Sequence, residues 1–141
     1  MNKFLNILKI SRPRFWIYLA GPLVVGTTFA ATTKDAFFSF EFLYLLVFFL
    51  IPANFFLYGV NDLSDQDTDI FNSKKNSKEM RANSSNESIY KLIILFSLFL
   101  AFPSFIILNA KAQIFLIVFL ILSFLYSTPP VRFKSKPILD F

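Results

Sequence analysis

The chain has 141 residues and a formal net charge of +5, and 55% of its residues are hydrophobic while only 16% are charged. Because so few polar side chains could not cover the core of a water-soluble protein, the composition predicts a membrane protein. Cysteine and histidine are absent, which excludes disulfides, thiolate nucleophiles, imidazole bases and most zinc sites. The basic residues alternate with long apolar runs, so we expect contact with anionic lipid headgroups and no binding to nucleic acid.

Four apolar segments approach the roughly 20 residues that a helix needs to cross a hydrocarbon core about 30 Å thick. They cover residues 15–32, 37–60, 89–108 and 112–128. Short connections join the first segment to the second and the third to the fourth, which predicts two helical hairpins. The predicted fold is an all-α, multi-pass transmembrane bundle of about four helices, forming a single membrane domain over residues 1–141.

The first segment has a competing interpretation as a cleaved signal peptide. It follows a basic, amphipathic stretch over residues 3–9 and ends in small residues at 30–31, as signal peptides do. However, the apolar run is long for a signal peptide and carries Gly21-Pro22 in its middle. We therefore favour a transmembrane helix.

Lysine and arginine are distributed unevenly across the predicted membrane. Twelve lie on the side of both termini and of the polar connection 61–88, whereas only Lys34 and Lys111 lie on the other side. Since cytoplasmic loops retain positive charge, this bias predicts that both termini and the 61–88 loop face the cytoplasm.

An acidic cluster follows the second apolar segment. If the helix continues, Asn61, Asp62, Asp65 and Asp69 fall on one face, with the three aspartates within about 60° of one another, and Asn54 lies on that face two turns earlier. Carboxylates this close repel unless a cation neutralises them. Hard oxygen ligands favour Mg²⁺, which proteins commonly share between carboxylates and substrate phosphates.

Two other interpretations of the acidic cluster compete with a magnesium site. The first is a solvated helix end without a ligand, which is common for a run of charges. The second is a calcium loop that opens at Asp65, but Ile70 stands where such a loop needs Gly and Asn76 where it needs a bidentate Glu. The spacing therefore argues against the calcium loop and leaves the solvated end open.

A basic stretch follows the fourth apolar segment at the same predicted membrane face. Tyr126 is followed by two prolines that end the helix, and Arg132 and Lys134 come next. These residues alone could be interfacial anchors. Opposite a Mg²⁺-carboxylate cluster they also suit a diphosphate, because arginine grips oxygens bidentately and lysine supplies a compact charge.

The two stretches together resemble motifs of the UbiA-type intramembrane prenyltransferases. Asn61, Asp62, Asp65 and Asp69 match the N-D-x-x-D-x-x-x-D motif that follows the second transmembrane helix of that family. The Y-S-x-x-x-R-x-K motif after the fourth helix is matched, with one extra residue before the arginine, by Tyr126, Ser127, Arg132 and Lys134.

Further stretches look like the branch of that family that elongates carotenoids such as lycopene with five-carbon units. They are Ser11-Arg12-Pro13-Arg14-Phe15-Trp16, Gly21-Pro22, Asn54-Phe55-Phe56, and Pro129-Pro130 leading through Arg132-Phe133-Lys134 to Pro137 and Leu139-Asp140. The resemblance also suggests a prokaryotic cell membrane, with the active face toward the cytoplasm.

The resemblance implies a Mg²⁺-dependent transfer of a prenyl group from an isoprenyl diphosphate to a hydrophobic acceptor within the membrane. Mg²⁺ held by Asn61, Asp62, Asp65 and Asp69 would neutralise the diphosphate, and an allylic cation would form in a water-excluding cavity. The residues implied in catalysis and in substrate binding are Asp65, Asp69 and Tyr126, and Asn54, Arg132 and Lys134, respectively.

The resemblance covers about the first half of the family's length. Family members carry roughly nine transmembrane helices and a second aspartate-rich motif, which this sequence lacks. We therefore expect a second polypeptide or a second copy to complete the bundle. Two alternatives from other classes remain: a small membrane transport or channel subunit, and an inactive membrane-anchored fragment.

Overall fold

The computed structural model describes residues 3–66, 80 and 82–136, with the side chains of residues 3 and 4 left out. Within these residues the chain is helical and contains no strand, which confirms the predicted all-α class. Short 3₁₀ helices cover Pro13–Phe15, Lys34–Phe38 and Phe133–Ser135. The α-helices are α1 (Lys3–Ile10), α2 (Trp16–Ala30), α3 (Phe40–Leu50), α4 (Pro52–Ser64), α5 (Glu87–Ala101), α6 (Ser104–Ile107) and α7 (Ala110–Ser127).

Three helical stretches are long and apolar enough to cross a membrane. They are Phe40–Ser64, Glu87–Ile107 and Ala110–Ser127, and they correspond to the second, third and fourth predicted spans. Many of their large apolar side chains point outward, among them Phe99 and Phe115. Such outward apolar surface suits lipid rather than water, so the three helices indicate an integral membrane protein.

The first predicted span differs from the other three. Its α-helix, α2, has 15 residues, which at 1.5 Å per residue is about 22 Å and short of the roughly 30 Å hydrocarbon core. The preceding 3₁₀ helix, Pro13–Phe15, adds about 6 Å. A crossing at this segment therefore remains a prediction.

The second span is broken where α3 meets α4. Pro52 has no backbone N–H to continue the helical ladder, and Ile51 adopts φ −120° and ψ −68°. The side-chain amide of Asn54 donates to the carbonyls of Phe49 and Leu50, at 2.7 and 3.0 Å. Asn54 therefore satisfies backbone groups at the break and fixes the direction in which α4 leaves it.

The central helix of the described bundle is α4. It packs most extensively on α5, and the two helices come close together at Gly59, where a Cβ atom would lie 3.0 Å from Cγ1 of Ile94. The predicted contact between the first two hairpin segments is present, since α2 packs on α3. In the second predicted hairpin, α5 and α7 share an apolar cluster near their connection, through Ala101 and Leu116. Toward the acidic end of α4 both helices lie against α4 and line a cavity of about 340 Å³.

Two apolar clusters stabilise this arrangement. One lies within the bundle and joins Phe48, Ala53, Ala101 and Leu116. The other joins Ile10, Ala82 and Tyr90, near the end of α4 that carries the acidic residues. The second cluster holds α1 and the start of α5 beside that end of α4, so the N-terminal segment takes part in building it.

Candidate functional site

The carboxyl end of α4 meets the basic stretch that follows α7. Arg132 Nη2 donates to Asp65 Oδ1 at 2.7 Å, and Lys134 Nζ donates to Asp65 Oδ2 at 2.5 Å. All three side chains are mostly shielded from solvent. The carboxylate of Asp65 thus accepts a hydrogen bond from one cationic side chain on each of its two oxygens. Both are charge-assisted hydrogen bonds, which are stronger than those between neutral groups.

The same ammonium group also reaches Asn61. Lys134 Nζ donates to Asn61 Oδ1 at 2.8 Å, and the hydroxyl of the buried Ser127 donates to that oxygen at 3.1 Å. Asn61 lies one helical turn before Asp65, the residue that follows the last residue of α4, so their oxygens face the same neighbour. Asn61 therefore links the end of α4 both to the last residue of α7 and to the basic stretch.

The backbone at Arg132 is left-handed, with φ 41° and ψ 65°. A non-glycine residue in this region costs about 1–2 kcal/mol. The peptide bond between Pro129 and Pro130 is cis, and the 3₁₀ helix after Arg132 begins at Phe133. The left-handed backbone of Arg132 is held in place by the contact of its side chain with Asp65, and residues in this conformation cluster at functional sites.

A second arginine contacts α4 in a similar way. Arg12 is also left-handed, with φ 47° and ψ 71°, and it also precedes a 3₁₀ helix. Its Nη2 donates to Asp62 Oδ1 at 2.7 Å, and its guanidinium lies 4.5 Å from the ring centroid of Tyr58. The side chains of Arg12 and Asp62 are only 12% and 1% exposed, so this pair is more enclosed than the one at Asp65.

Four of the predicted site residues are brought together: Asn61, Asp65, Arg132 and Lys134. Asp62 instead contacts Arg12, on the adjacent face of α4. The remaining predicted residues are Asn54, which is buried at the α3–α4 break, Tyr126, which is half-buried on the last turn of α7, and Asp69, which lies outside the described residues.

The donor set fits a small hard cation in part. Asn61 and Asp65 present amide and carboxylate oxygens, the ligand type that Mg²⁺ takes, and both already contact one positive group, Lys134. Among residues 3–66, 80 and 82–136, no group of three or more acidic residues converges on a metal position. A fuller ligand set depends on Asp69, which lies outside that part of the chain.

Sequence reasoning did not assign a site role to Arg12 or Ser127. The sequence accounts for the charge of Arg12 by membrane orientation alone. Its ion pair with Asp62, 50 residues away, is therefore a finding of the structure. The signal for Arg12 was its place in Ser11-Arg12-Pro13-Arg14-Phe15-Trp16, one of the stretches that look like the carotenoid-elongating branch. Ser127 belongs to the second motif, and its small hydroxyl at a helix end could have suggested a hydrogen bond to a facing helix.

Comparisons with known proteins give relatives named lycopene elongase/hydratase. The protein of Halobacterium salinarum is 41% identical over 137 residues, which cover 97% of this chain and 49% of the relative. That of Haloferax volcanii is 40% identical over 139 residues, covering 99% and 46%, and that of Corynebacterium glutamicum is 30% identical over 142 residues, covering 99% and 48%.

The chain spans about half the length of the curated relatives it matches. No model of a known protein family matches it, and no solved structure matches it. The relatives agree with the predicted carotenoid branch in their names, whereas the wider resemblance to UbiA-type prenyltransferases stays a prediction.

Proposed function

We propose that this chain is the diphosphate-binding half of a membrane enzyme that transfers a prenyl group from an isoprenyl diphosphate to a carotenoid acceptor, with Mg²⁺ as cofactor. The observation that carries the proposal is the convergence of Arg132 and Lys134 on Asp65 and Asn61. It joins hard oxygen ligands and two cations at one end of a transmembrane helix, which are the two parts that a metal-diphosphate complex requires.

Each of the chain's own residues has a separate task in this proposal. Arg132 holds diphosphate oxygens with its planar guanidinium, and Lys134 adds a compact charge that stabilises the departing diphosphate. Asn61 and Asp65, with Asp69 as the next acidic residue of the motif, offer oxygens to the metal. Mg²⁺, when bound, supplies charge that neutralises the diphosphate and makes it a better leaving group.

The membrane supplies the apolar surroundings that the transfer needs. The three long apolar helices support a position of the acidic end of α4 at a membrane boundary. An isoprenyl diphosphate would keep its charged end at that boundary while its hydrocarbon part enters the bilayer. Water is scarce in the hydrocarbon interior of the bilayer, and its exclusion protects an allylic cation from hydrolysis. By the distribution of lysine and arginine, the charged end faces the cytoplasm. The proposed membrane is that of a prokaryotic cell.

The carotenoid acceptor is proposed from the names of the relatives, which cover nearly all of this chain at up to 41% identity. Since those relatives are about twice as long, the complete reaction is proposed to need residues beyond the 141 of this chain. The remaining walls of the acceptor cavity would come from such residues, whether they belong to the same polypeptide, to a second polypeptide or to a second copy of the chain.

The test is the binding of dimethylallyl diphosphate to the purified chain in detergent, measured by isothermal titration calorimetry with Mg²⁺ and with EDTA. We expect Mg²⁺-dependent binding that weakens at least tenfold in Asp65→Asn. The matched control is Glu87→Gln, which removes one acidic charge from an exposed ion pair with Lys91. Binding that is equal in both variants, or unaffected by EDTA, would contradict the proposed site.

A further inference from the structure

We propose that Lys134 and the divalent cation compete for the same two oxygens, so that Lys134 leaves Asn61 and Asp65 when the metal binds and moves to the bound anion. The competition itself follows from the geometry of the described residues. The identity of the anion as a diphosphate rests on the proposed function.

The ammonium group of Lys134 lies where a cation held by Asn61 and Asp65 would lie. Its nitrogen is 2.8 Å from Asn61 Oδ1 and 2.5 Å from Asp65 Oδ2. Mg²⁺ binds oxygens at about 2.0–2.1 Å and completes an octahedron with waters and substrate oxygens. A metal bound to both oxygens would therefore overlap the ammonium group, and the two positive charges would repel each other.

The second cation at this carboxylate is built differently. Arg132 contacts the other oxygen, Asp65 Oδ1, at 2.7 Å from a strained, left-handed backbone. Its contact does not use the two oxygens that face Lys134. Lysine, in contrast, carries its charge on a flexible four-carbon stem that can swing to a new partner. Lys134 is thus the group that a metal displaces, while Arg132 can keep Asp65 in place.

Displacement of Lys134 makes metal and anion binding interdependent. A metal that binds alone must break two charge-assisted hydrogen bonds and move the ammonium group away from its carboxylate in a mostly shielded position. When an anion binds as well, Lys134 gains a new negative partner. The metal and the anion should therefore bind with positive coupling, and each should raise the affinity of the other by the same factor.

The experiment measures Mn²⁺ binding by electron paramagnetic resonance, using the full chain in detergent, with and without inorganic diphosphate. The variant is Lys134→Met, which keeps most of the unbranched side chain and removes its charge. The matched control is Lys136→Met, which removes one charge two residues away from an exposed position. A second variant, Lys134→Arg, keeps the positive charge, and helicity from circular dichroism checks that each protein is folded.

We expect Lys134→Met to bind Mn²⁺ alone at least tenfold more tightly than the wild type, and to lose at least tenfold in coupling between Mn²⁺ and diphosphate. Lys136→Met should change both quantities by less than threefold, and Lys134→Arg should bind Mn²⁺ alone less tightly than Lys134→Met. Equal or weaker Mn²⁺ binding in Lys134→Met than in Lys136→Met overturns the inference. A gain in Mn²⁺ affinity without any diphosphate binding supports the competition and contradicts the proposed function.

Discussion

Replacement of Arg12 by alanine should destabilise the protein strongly, because it leaves the carboxylate of Asp62 enclosed without its guanidinium. The Asp62 side chain is 1% exposed, and its Oδ1 lies 2.7 Å from Arg12 Nη2. Removal of one partner from a buried ion pair costs about 3–5 kcal/mol. The lost contact with the Tyr58 ring, 4.5 Å away, adds about 1 kcal/mol.

The loss of stability should arise because the buried carboxylate of Asp62 loses its guanidinium partner, and not because the intact ion pair makes a large net contribution to stability. In the double variant Arg12→Met with Asp62→Leu, both charges are removed, so we expect stability to return to within about 1 kcal/mol of the wild type. In the cycle of Arg12→Met, Asp62→Leu and the double variant, each single change leaves one charge without its partner at a cost of about 3–5 kcal/mol, so the coupling should be at least about 5 kcal/mol. The exposed pair of Glu87 and Lys91, at 39% and 62% exposure, should give only about 0.3–0.5 kcal/mol.

The assay is equilibrium unfolding in mixed micelles, followed by circular dichroism and by the fluorescence of Trp16, the one tryptophan of the chain. Trp16 Nε1 donates to Ser11 Oγ at 3.0 Å. Because Ser11 precedes Arg12 directly, the emission of Trp16 reports on the surroundings of the ion pair between Arg12 and Asp62. A coupling for Arg12 and Asp62 as small as that of the exposed pair would refute this reasoning. So would a double variant that is no more stable than Arg12→Ala.

Three further predictions concern helix contacts. The variant Gly59→Ala should be less stable than Gly26→Ala by about 1 kcal/mol in thermal unfolding. Both variants gain about the same helix propensity, but only the new Cβ at position 59 meets a neighbour, Cγ1 of Ile94 at 3.0 Å. Equal stability of the two variants would contradict the close approach at Gly59. Asn54→Ala should cost about 1–3 kcal/mol in the same assay, since two carbonyls lose their donor, and a neutral result would show that water replaces it. Ser127→Ala should weaken Mg²⁺-dependent diphosphate binding several-fold by loosening Asn61, and unchanged binding would exclude this positioning role.

The helical elements could be predicted largely from apolar length, whereas the helix breaks depended on local chemistry. The spans over α3 with α4, α5 with α6, and α7 follow from runs of about the length that a membrane requires. The short α2 and the cavity between α5 and α7 could not be predicted from the lengths of the apolar runs, because apolar length does not say which helices pack together. Packing is decided by close approaches such as that at Gly59.

Within the site, the motifs predicted that Arg132 and Lys134 lie at the same membrane face as the acidic cluster, but they predicted neither the direct contacts with Asp65 nor the partner of Asp62. Residues three apart on a helix differ in direction by about 60°. A difference of this size is small enough for periodicity to predict Asp62 and Asp65 on one helix face. It is also large enough for Asp62 to point toward Arg12 instead of toward the partners of Asp65. Only the position of the N-terminal segment, which periodicity does not contain, distinguishes the two carboxylates.

The two arginine contacts also set an order of assembly during synthesis. Arg12 precedes Asp62 by 50 residues, so their ion pair can close as soon as α4 has emerged and entered the membrane. Asp65 must wait for Arg132, which is synthesised 67 residues later, after α7. A partly inserted chain therefore has an anchored α4 but lacks the contacts of Arg132 and Lys134 with Asp65. The proposed anion site is completed only by the last described stretch to leave the ribosome.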